Sequence, residues 1–163
     1  MTTAQQVLDL VDDILTNHHV PLKAEMPRMS TRLTGEAASV FSELRMLLEG
    51  HLMKEETILF PNIQGLARGL DVDGCGLIGP IRQMRHEHAQ IHALEERLRA
   101  LAAQGGPGSD ELTALLDDLA AHADKEDSQL FPMAFALAGM PEPDWEGLDE
   151  EEELRPAAPR VVT

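Results

Sequence analysis

Residues 51–61 read His-Leu-Met-Lys-Glu-Glu-Thr-Ile-Leu-Phe-Pro, and residues 122–132 read His-Ala-Asp-Lys-Glu-Asp-Ser-Gln-Leu-Phe-Pro. Both stretches follow the pattern H-x-x-K-E-[ED]-x-x-L-F-P. Each places a histidine four residues before a glutamate, so both side chains share one face of a helix. A repeat of this length predicts two related helices and a pseudo-two-fold symmetry between two helix pairs.

Apolar residues continue both motifs at steps of three and four, which predicts helices that each bury one face. The first stripe contains Phe41, Leu44, Leu48, His51, Glu55 and Ile58. The stripe around the second motif contains Leu112, Leu115, Leu119, His122, Glu126 and Leu130. A third contains Ile81, Met84, His88, Ile91 and Leu98. Near the N-terminus two neighbouring stripes remain possible, namely Leu8, Leu15, His19, Leu22 and Met26, or Val7, Val11, Ile14 and His18.

Glycine and proline delimit four predicted helices, at about residues 3–33, 36–64, 80–104 and 109–138. Pro21 and Pro27 are expected to bend the first, and Ser109 or Asp110 to cap the fourth. The predicted fold class is all-α, an antiparallel up-down-up-down four-helix bundle over residues 1–140. Residues 141–163 contain eight acids and four prolines and are expected to form a disordered acidic tail.

Charge and composition narrow the class of function. The chain of 163 residues has 13 basic and 29 acidic residues and a formal charge of −16, which argues against nucleic acid and anionic membranes as partners. No apolar stretch is long enough for a membrane span. A single cysteine, Cys75, and no secretory leader predict a cytoplasmic protein.

Polar residues on apolar helix faces are the candidate functional residues, because buried charge must be paired or bound to metal. The candidate metal ligands are His19, His51, Glu55, His88, His92, His122 and Glu126. At about 1.5 Å per residue, counting from the helix ends places these groups at one height in an up-down bundle. Imidazole with carboxylate suits iron, zinc, copper or manganese. Two six-coordinate ions with two bridging carboxylates, five imidazoles and one bridging oxygen would retain one open position.

Other metal-site patterns do not fit. No histidine follows a glutamate at the Glu-x-x-His spacing of ferritin-type bundles. The His-Glu-x-x-His motif of metalloproteases is also absent, because Ala89 follows His88 and Gln90 stands where His86-Glu87 would require a histidine. A structural zinc site built on several cysteines is excluded by the single cysteine.

The pattern resembles the hemerythrin-like (HHE) family of non-haem di-iron bundles, over roughly residues 4–138. The resemblance rests on His51-x-x-x-Glu55, on His88 and on His122-x-x-x-Glu126. Within that family the chain is also similar to bacterial proteins that repair iron–sulfur centres. The shared stretches are His19 with Met26-Pro27, residues 51–61, Met84-Arg85-His86-Glu87-His88, and Glu126 with Leu130-Phe131-Pro132. The spacing to Pro27 favours His19 over His18 as the first ligand.

Two departures leave the subclass open. The repair proteins carry an additional histidine before the H-x-x-x-E helix, whereas residues 29–40 contain none, and they usually carry a cysteine-bearing N-terminal domain that is not in this sequence. The His88/His92 pair is instead typical of oxygen-binding hemerythrins, which end in H-x-x-x-x-D. Asp127 therefore competes with Glu126 as a ligand, and the stripe and the internal repeat favour Glu126.

The resemblance implies two iron ions, oxo- or hydroxo-bridged, with Glu55 and Glu126 as bridges and the histidines as terminal ligands. The leading hypothesis is binding of O2 or NO at one open iron position, for oxygen binding, sensing or a stress response. Enzymatic peroxide or NO turnover, or iron donation to damaged iron–sulfur clusters, is the first alternative. The second is a structural or storage metal-binding bundle.

Overall fold

The computed structural model describes residues 1–70 and 74–153, apart from the side chains of residues 74, 75 and 150–153, and these residues contain helices and no strands. Four long helices follow one another: α1 (Thr3–Ile14, a π-helical turn at Leu15–His19, then Val20–Arg32), α2 (Gly35–Lys54, a π-helical turn at Glu55–Leu59, then Phe60–Ala67), α3 (Ile78–Ala103) and α4 (Ser109–Lys125, a π-helical turn at Glu126–Leu130, then Phe131–Leu137). A 3₁₀ turn, Gly74–Leu77, precedes α3, and a short helix, α5 (Trp145–Glu153), follows α4. None of these helices is both long and apolar enough to cross a membrane.

Local sequence explains where the helices begin. The hydroxyl of Thr2 accepts a hydrogen bond from the N–H of Gln5 and caps α1. At the start of α4 the capping position is Gly108, with φ +77°, rather than the predicted Ser109 or Asp110. A Cβ on Gly108 would lie 3.3 Å from the Cβ of Arg32, so the turn before α4 lies close to the end of α1.

The four long helices pack along one another's length. The beginning of α1 contacts the ends of α2 and α4, and the end of α1 contacts their beginnings. Helix α3 packs along both α2 and α4. Every long helix therefore passes through the middle of the molecule, where side chains from all four can meet.

The apolar core has two parts, with buried polar residues between them. One part contains Leu22, Leu48, Ile91 and Leu119, and the other contains residues such as Ile14. Each long helix contributes to both parts and carries buried histidines or glutamates where it passes from one to the other. These residues are His18, His19, His51, Glu55, Glu87, His88, His122 and Glu126, whereas Glu95, also buried, lies further along α3 between Leu94 and Leu98. The polar residues thus form a layer across the bundle.

The three π-helical turns each end directly before an x-Pro dipeptide. The N–H groups of Val20, Phe60 and Phe131 donate to carbonyls five residues earlier instead of four. The next residue in each case is a proline, which lacks an N–H and crowds the preceding turn. Helix α3 has its only proline, Pro80, in its first turn and stays α-helical throughout. A proline therefore accompanies each widened turn, whereas Pro27 lies inside α1 with no such turn before it.

Each π-helical turn inserts one residue into its helix. In α4 the predicted stripe already allowed for this, because it passed from Glu126 to Leu130, which is buried. In α2 the prediction that Ile58 is buried is wrong: Ile58 is 53% exposed and Leu59 is 1% exposed. In α1 the buried stripe contains Val11 before the turn and Leu22 after it, so the chain uses one of the two possible stripes on each side. The ambiguity in the periodicity of α1 has its physical cause in this widened turn.

Helix α5 lies within the segment expected to be a disordered tail, of which residues 154–163 lie outside the described part. The ring of Trp145 packs on Phe135, with centroids 5.9 Å apart, and the guanidinium of Arg85 lies 5.3 Å from the centroid of the same ring. Asp149 accepts a hydrogen bond from Arg82 at 3.1 Å and pairs with His86 at 3.0 Å. The acidic composition of the segment did not indicate that Trp145 packs it against the bundle.

Replacing Trp145 with alanine is expected to lower the free energy of unfolding by about 1–2 kcal/mol, because the aromatic pair and the cation–π contact are both lost. Urea unfolding followed by circular dichroism measures the effect. Trp145→Phe keeps a ring on Phe135 and should retain at least half of the difference. A Trp145→Ala variant as stable as the parent chain would contradict the docking of α5.

Candidate metal centre

Four imidazoles converge in the polar layer, one from each long helix. The Nε2 atoms of His19 and His122 lie 3.1 Å apart, and those of His51 and His88 lie 3.2 Å apart. The four side chains are at most 8% exposed. Two pairs of imidazole nitrogens therefore face each other in the interior of the bundle.

Two glutamates lie between these pairs. Glu55 places Oε2 3.2 Å from Nε2 of His19 and Oε1 3.1 Å from Nε2 of His51. Glu126 places Oε1 3.0 Å from Nε2 of His122 and 3.2 Å from Nε2 of His88. Each carboxylate thus reaches both pairs, as a bridging ligand must.

The donor atoms form two groups that share both carboxylates. One group is His19, Glu55, His122 and Glu126, and the other is His51, Glu55, His88 and Glu126. Within each group the potential ligand atoms lie within 4.8 Å of one another. We call the first group the 19/122 position and the second the 51/88 position.

The carboxylates satisfy a direct test of whether this chemistry fits metal. Glu55 and Glu126 are fully buried, and none of their four oxygens has a hydrogen-bond partner among the described residues. Burying a charged carboxylate without a partner of opposite charge costs several kcal/mol of folding free energy. A cation bound between the two carboxylates would offset this cost for both of them. The six side chains therefore fit a pair of cations.

The electrostatics of the cluster favour positive charge. Burial lowers the pKa of His122, but the charge of Glu126 raises it to about 10. Burial also lowers the pKa of His88, and its hydrogen bond to Asp127 outweighs this and raises it to about 10. Burial raises the pKa of Glu55, but the neighbouring His51 holds it well below the ordinary value. The carboxylates thus stabilise cationic charge at the imidazoles.

Acidic residues outside the cluster orient three of the four imidazoles through their Nδ1 atoms. His19 Nδ1 lies 3.0 Å from Oε1 of Glu56, and His88 Nδ1 lies 3.0 Å from Oδ1 of Asp127. Such contacts place the proton on Nδ1 and leave Nε2 free to bind metal. Asp127, the competing ligand in the sequence, therefore contacts the outer side of His88, and Glu126 lies between the imidazoles.

A third, longer contact joins His51 to Glu87, with Nδ1 and Oε1 3.5 Å apart and no well-aligned hydrogen bond between them. Burial raises the pKa of Glu87, but contacts with His51, Lys54 and Gln83 lower it to about 2. Glu87 is a buried functional residue that the sequence analysis did not select. Its position directly before His88 was the available signal.

The structure does not bring His92, the seventh predicted ligand, into the cluster. Its side chain is 67% exposed, and its ring nitrogens face Glu95 at 3.4 Å and Glu96 at 3.3 Å. In the regular helix α3, Ile91, three residues after His88, occupies the buried face, and His92, one residue further, lies on the exposed side.

The two remaining histidines before α4 differ in burial. His18 is 9% exposed, and its ring stacks on His122 with centroids 5.9 Å apart. His86 has a side chain that is 49% exposed and pairs with Asp149 of α5. His18 therefore belongs to the surroundings of the cluster, and His86 belongs to the docking of α5.

A cavity of about 360 Å³ lies between α3 and α4 and reaches the cluster. Its lining includes His88 and Asp127 on the inner side and His92 with Asp124 elsewhere. His88 is a member of the 51/88 position. The cavity thus brings solvent to the side of His88 that faces Asp127.

Comparison with known proteins agrees with this geometry. Residues 10–134 match the family described as the hemerythrin HHE cation binding domain. The chain is 31% identical over 152 residues to the iron-sulfur cluster repair protein YtfE of Enterobacter sp. (strain 638), which covers 78% of this chain and 66% of that protein. It is 34% identical over 107 residues to YtfE of Edwardsiella ictaluri (strain 93-146), covering 60% of this chain and 46% of that protein.

YtfE of Escherichia coli O1:K1 / APEC is 28% identical over 152 residues, covering 78% of this chain and 66% of that protein. The chain thus spans less than two thirds of the length of these relatives. The family match covers most of the chain and includes all six residues of the two metal-binding groups. The chain belongs to the hemerythrin HHE cation-binding family.

Proposed function

We propose that this chain is a di-iron protein that binds a small diatomic molecule, O2 or NO, in an oxidative or nitrosative stress response. The observation that carries the proposal is the position of Glu55 and Glu126, each buried between two imidazole pairs with no other partner for its oxygens. A single cation would bind at one imidazole pair and would leave the carboxylate oxygens near the other pair without a cation. A pair of cations satisfies both carboxylates.

In this proposal His19 and His122 hold one iron, and His51 and His88 hold the other. Glu55 and Glu126 would contribute ligands to both positions. Bound iron would supply reversible one-electron chemistry and open coordination positions. An antiparallel up-down-up-down order of the four long helices is part of the proposal, and it is supported by the contacts of α1 with α2 and α4.

The residues around the cluster would exclude water and orient the imidazoles. The apolar core on each side of the polar layer excludes bulk water from the carboxylates. The cavity beside His88 admits a small ligand to the 51/88 position, while Asp127 keeps the imidazole oriented. This arrangement suits a diatomic molecule better than a large substrate.

Iron donation to damaged iron–sulfur clusters is the second candidate. It is favoured by the relatives, several of which are named iron-sulfur cluster repair proteins. In this case the same six residues hold iron that leaves the protein. The two candidates share the metal centre and differ in whether iron or only the small ligand exchanges.

Metal analysis with absorption spectroscopy tests the proposal. We expect two irons per chain and a near-ultraviolet and visible band that disappears on anaerobic reduction and returns with O2, or changes with NO. Zinc as the bound metal, or fewer than two metals at saturation, would overturn it. Transfer of iron from the reduced protein to an apo-ferredoxin, without a stable O2 or NO adduct, would favour donation.

The variant His92→Ala is the matched control for this measurement, because His92 is a histidine of α3 that lies outside both groups. It is expected to keep both irons, whereas His88→Ala should lose iron from the 51/88 position. Loss of an iron in His92→Ala would contradict the six-residue set.

A further inference from the structure

The metal centre is nearly symmetric, and the symmetry follows the internal repeat. The repeat relates Glu55 to Glu126, and the acid after each glutamate contacts an imidazole of another helix. Glu56 contacts Nδ1 of His19, and Asp127 contacts Nδ1 of His88, both at 3.0 Å. His19 and His88 are therefore equivalent members of the two positions.

The symmetry fails at the other imidazole of each position. Nδ1 of His51 faces Glu87, the residue directly before His88. The residue directly before His19 is His18, so an imidazole stands where the symmetry would place a carboxylate. Neither Nδ1 of His51 nor Nδ1 of His122 makes a well-aligned hydrogen bond among the described residues, and neither do the ring nitrogens of the buried His18. The two imidazoles differ because a carboxylate oxygen of Glu87 lies 3.5 Å from Nδ1 of His51, whereas the carboxylates near His122 all face its Nε2.

The lysines of the repeat show the same difference. Lys54 donates to Glu87 at 2.8 Å, on the side away from His51. Its equivalent, Lys125, donates to Asp13 at 2.6 Å. Asp13 also accepts a hydrogen bond from Asn17. Asp13, the partner of Lys125, therefore does not contact the imidazole of His122 among the described residues, whereas Glu87, the partner of Lys54, lies near His51.

We infer that the two metal positions are unequal, and that the 19/122 position binds a divalent cation more weakly because His18 occupies the place of a carboxylate. This inference rests on the proposed two-metal function. A carboxylate that accepts the Nδ1 proton orients the imidazole and makes Nε2 a stronger donor to metal. At His51 a carboxylate oxygen of Glu87 lies 3.5 Å from Nδ1 and carries the charge for such support, whereas at His122 the ring of His18 stacks in the corresponding place.

The expected size of the difference follows from the effect of such outer contacts in metal sites. Removing one typically weakens metal binding by about 10- to 100-fold. The protein should therefore take up its second cation with a dissociation constant about 10- to 100-fold higher than its first. Occupancy of the 19/122 position would then follow the supply of free iron, while the 51/88 position stays filled.

Anaerobic titration of the full chain, stripped of metal, with Fe(II) tests this directly by calorimetry. Two binding steps of one iron each are expected. Competition with a ferrous chelator should remove one iron well before the other. A stoichiometry of two with a single affinity would overturn this inference alone, whereas a stoichiometry below two would overturn the two-metal proposal itself.

Two exchange variants identify the cause. His18→Glu supplies the missing carboxylate beside Lys125 and should tighten the weaker step, reducing the gap to less than about 5-fold. Glu87→His removes the carboxylate from the other position and should weaken the tighter step by about 10- to 100-fold. If His18→Glu does not fold, Glu87→His still decides, since an unchanged pair of affinities in that variant contradicts the inference.

A third variant distinguishes whether His18 acts beside His122 or binds metal itself. His18→Ala is expected to keep two irons at saturation, because His18 lies outside both groups of potential ligand atoms. Loss of one iron from a folded His18→Ala variant would show that His18 is itself a ligand. That result would overturn the assignment of His18 as the residue that replaces a carboxylate.

Discussion

Replacing Glu55 with alanine is expected to remove metal from both positions at once. Glu55 has one oxygen near each imidazole pair, so its loss removes a ligand and a negative charge from both groups. Iron content should fall from two to nearly none. A metal present at 100 times its dissociation constant stabilises the folded state by about 2.7 kcal/mol, so the iron-dependent rise in melting temperature, about 5–10 °C, should also disappear.

Glu56→Ala is the matched control, the same substitution at the next residue. Glu56 contacts only the outer nitrogen of His19 and the ammonium of Lys23. This variant should bind iron about 10- to 100-fold more weakly and still reach two irons at saturation. Metal analysis and thermal unfolding with and without iron measure both variants. Two tightly bound irons in Glu55→Ala would refute the bridging role.

The variants Leu59→Ala and Ile58→Ala are expected to differ greatly in stability, although their positions are adjacent. Leu59 is 1% exposed in the core beside the polar layer, so its truncation should cost about 2–5 kcal/mol. Ile58 is 53% exposed, and its truncation should cost at most about 0.5 kcal/mol. Urea unfolding of the two variants measures the difference.

This pair tests the π-helical turn at Glu55–Leu59. An uninterrupted α-helix continues the stripe from His51 and Glu55 to Ile58, as the sequence analysis expected. The inserted residue moves the buried position to Leu59. A larger loss of stability in Ile58→Ala than in Leu59→Ala would contradict the buried position of Leu59.

Helix positions could be predicted from the sequence because their boundaries depend on local signals. The first helix was expected over residues 3–33, and it comprises residues 3–32 of the structure. The fourth was expected from Ser109 or Asp110, and it begins at Ser109. Gly and Pro mark these boundaries through backbone restrictions that do not depend on tertiary contacts.

The sequence could also predict that the candidate ligands lie at one level of the bundle, because each residue of a helix advances it by about 1.5 Å. Six of the seven predicted ligands meet in the polar layer. The position of His92 could not be derived this way, since a spacing of three and a spacing of four both continue the stripe of His88, and Ile91 takes the buried place. The widened turns in α1, α2 and α4 depend on how Pro21, Pro61 and Pro132 are accommodated in the packed bundle.

The contacts of α5 could not be predicted from the composition of the acidic C-terminal segment. Charge composition predicts how a segment behaves alone, and it does not reveal a complementary surface elsewhere in the chain. Arg82, Arg85 and His86 of α3 form that surface for Trp145 and Asp149. Only the folded bundle brings these groups together.

The polar layer has a consequence for a chain that has a single cysteine and so cannot form an internal disulfide. His19 and His122 are separated by 103 residues, and His51 and His88 by 37. Cations held in common by these residues would act as cross-links that close two long loops, restricting the unfolded chain much as a pair of disulfides does. Unlike a disulfide, a cross-link made by a cation is removed by a chelator and restored by adding metal. Resistance to proteolysis would therefore report how much iron the protein carries.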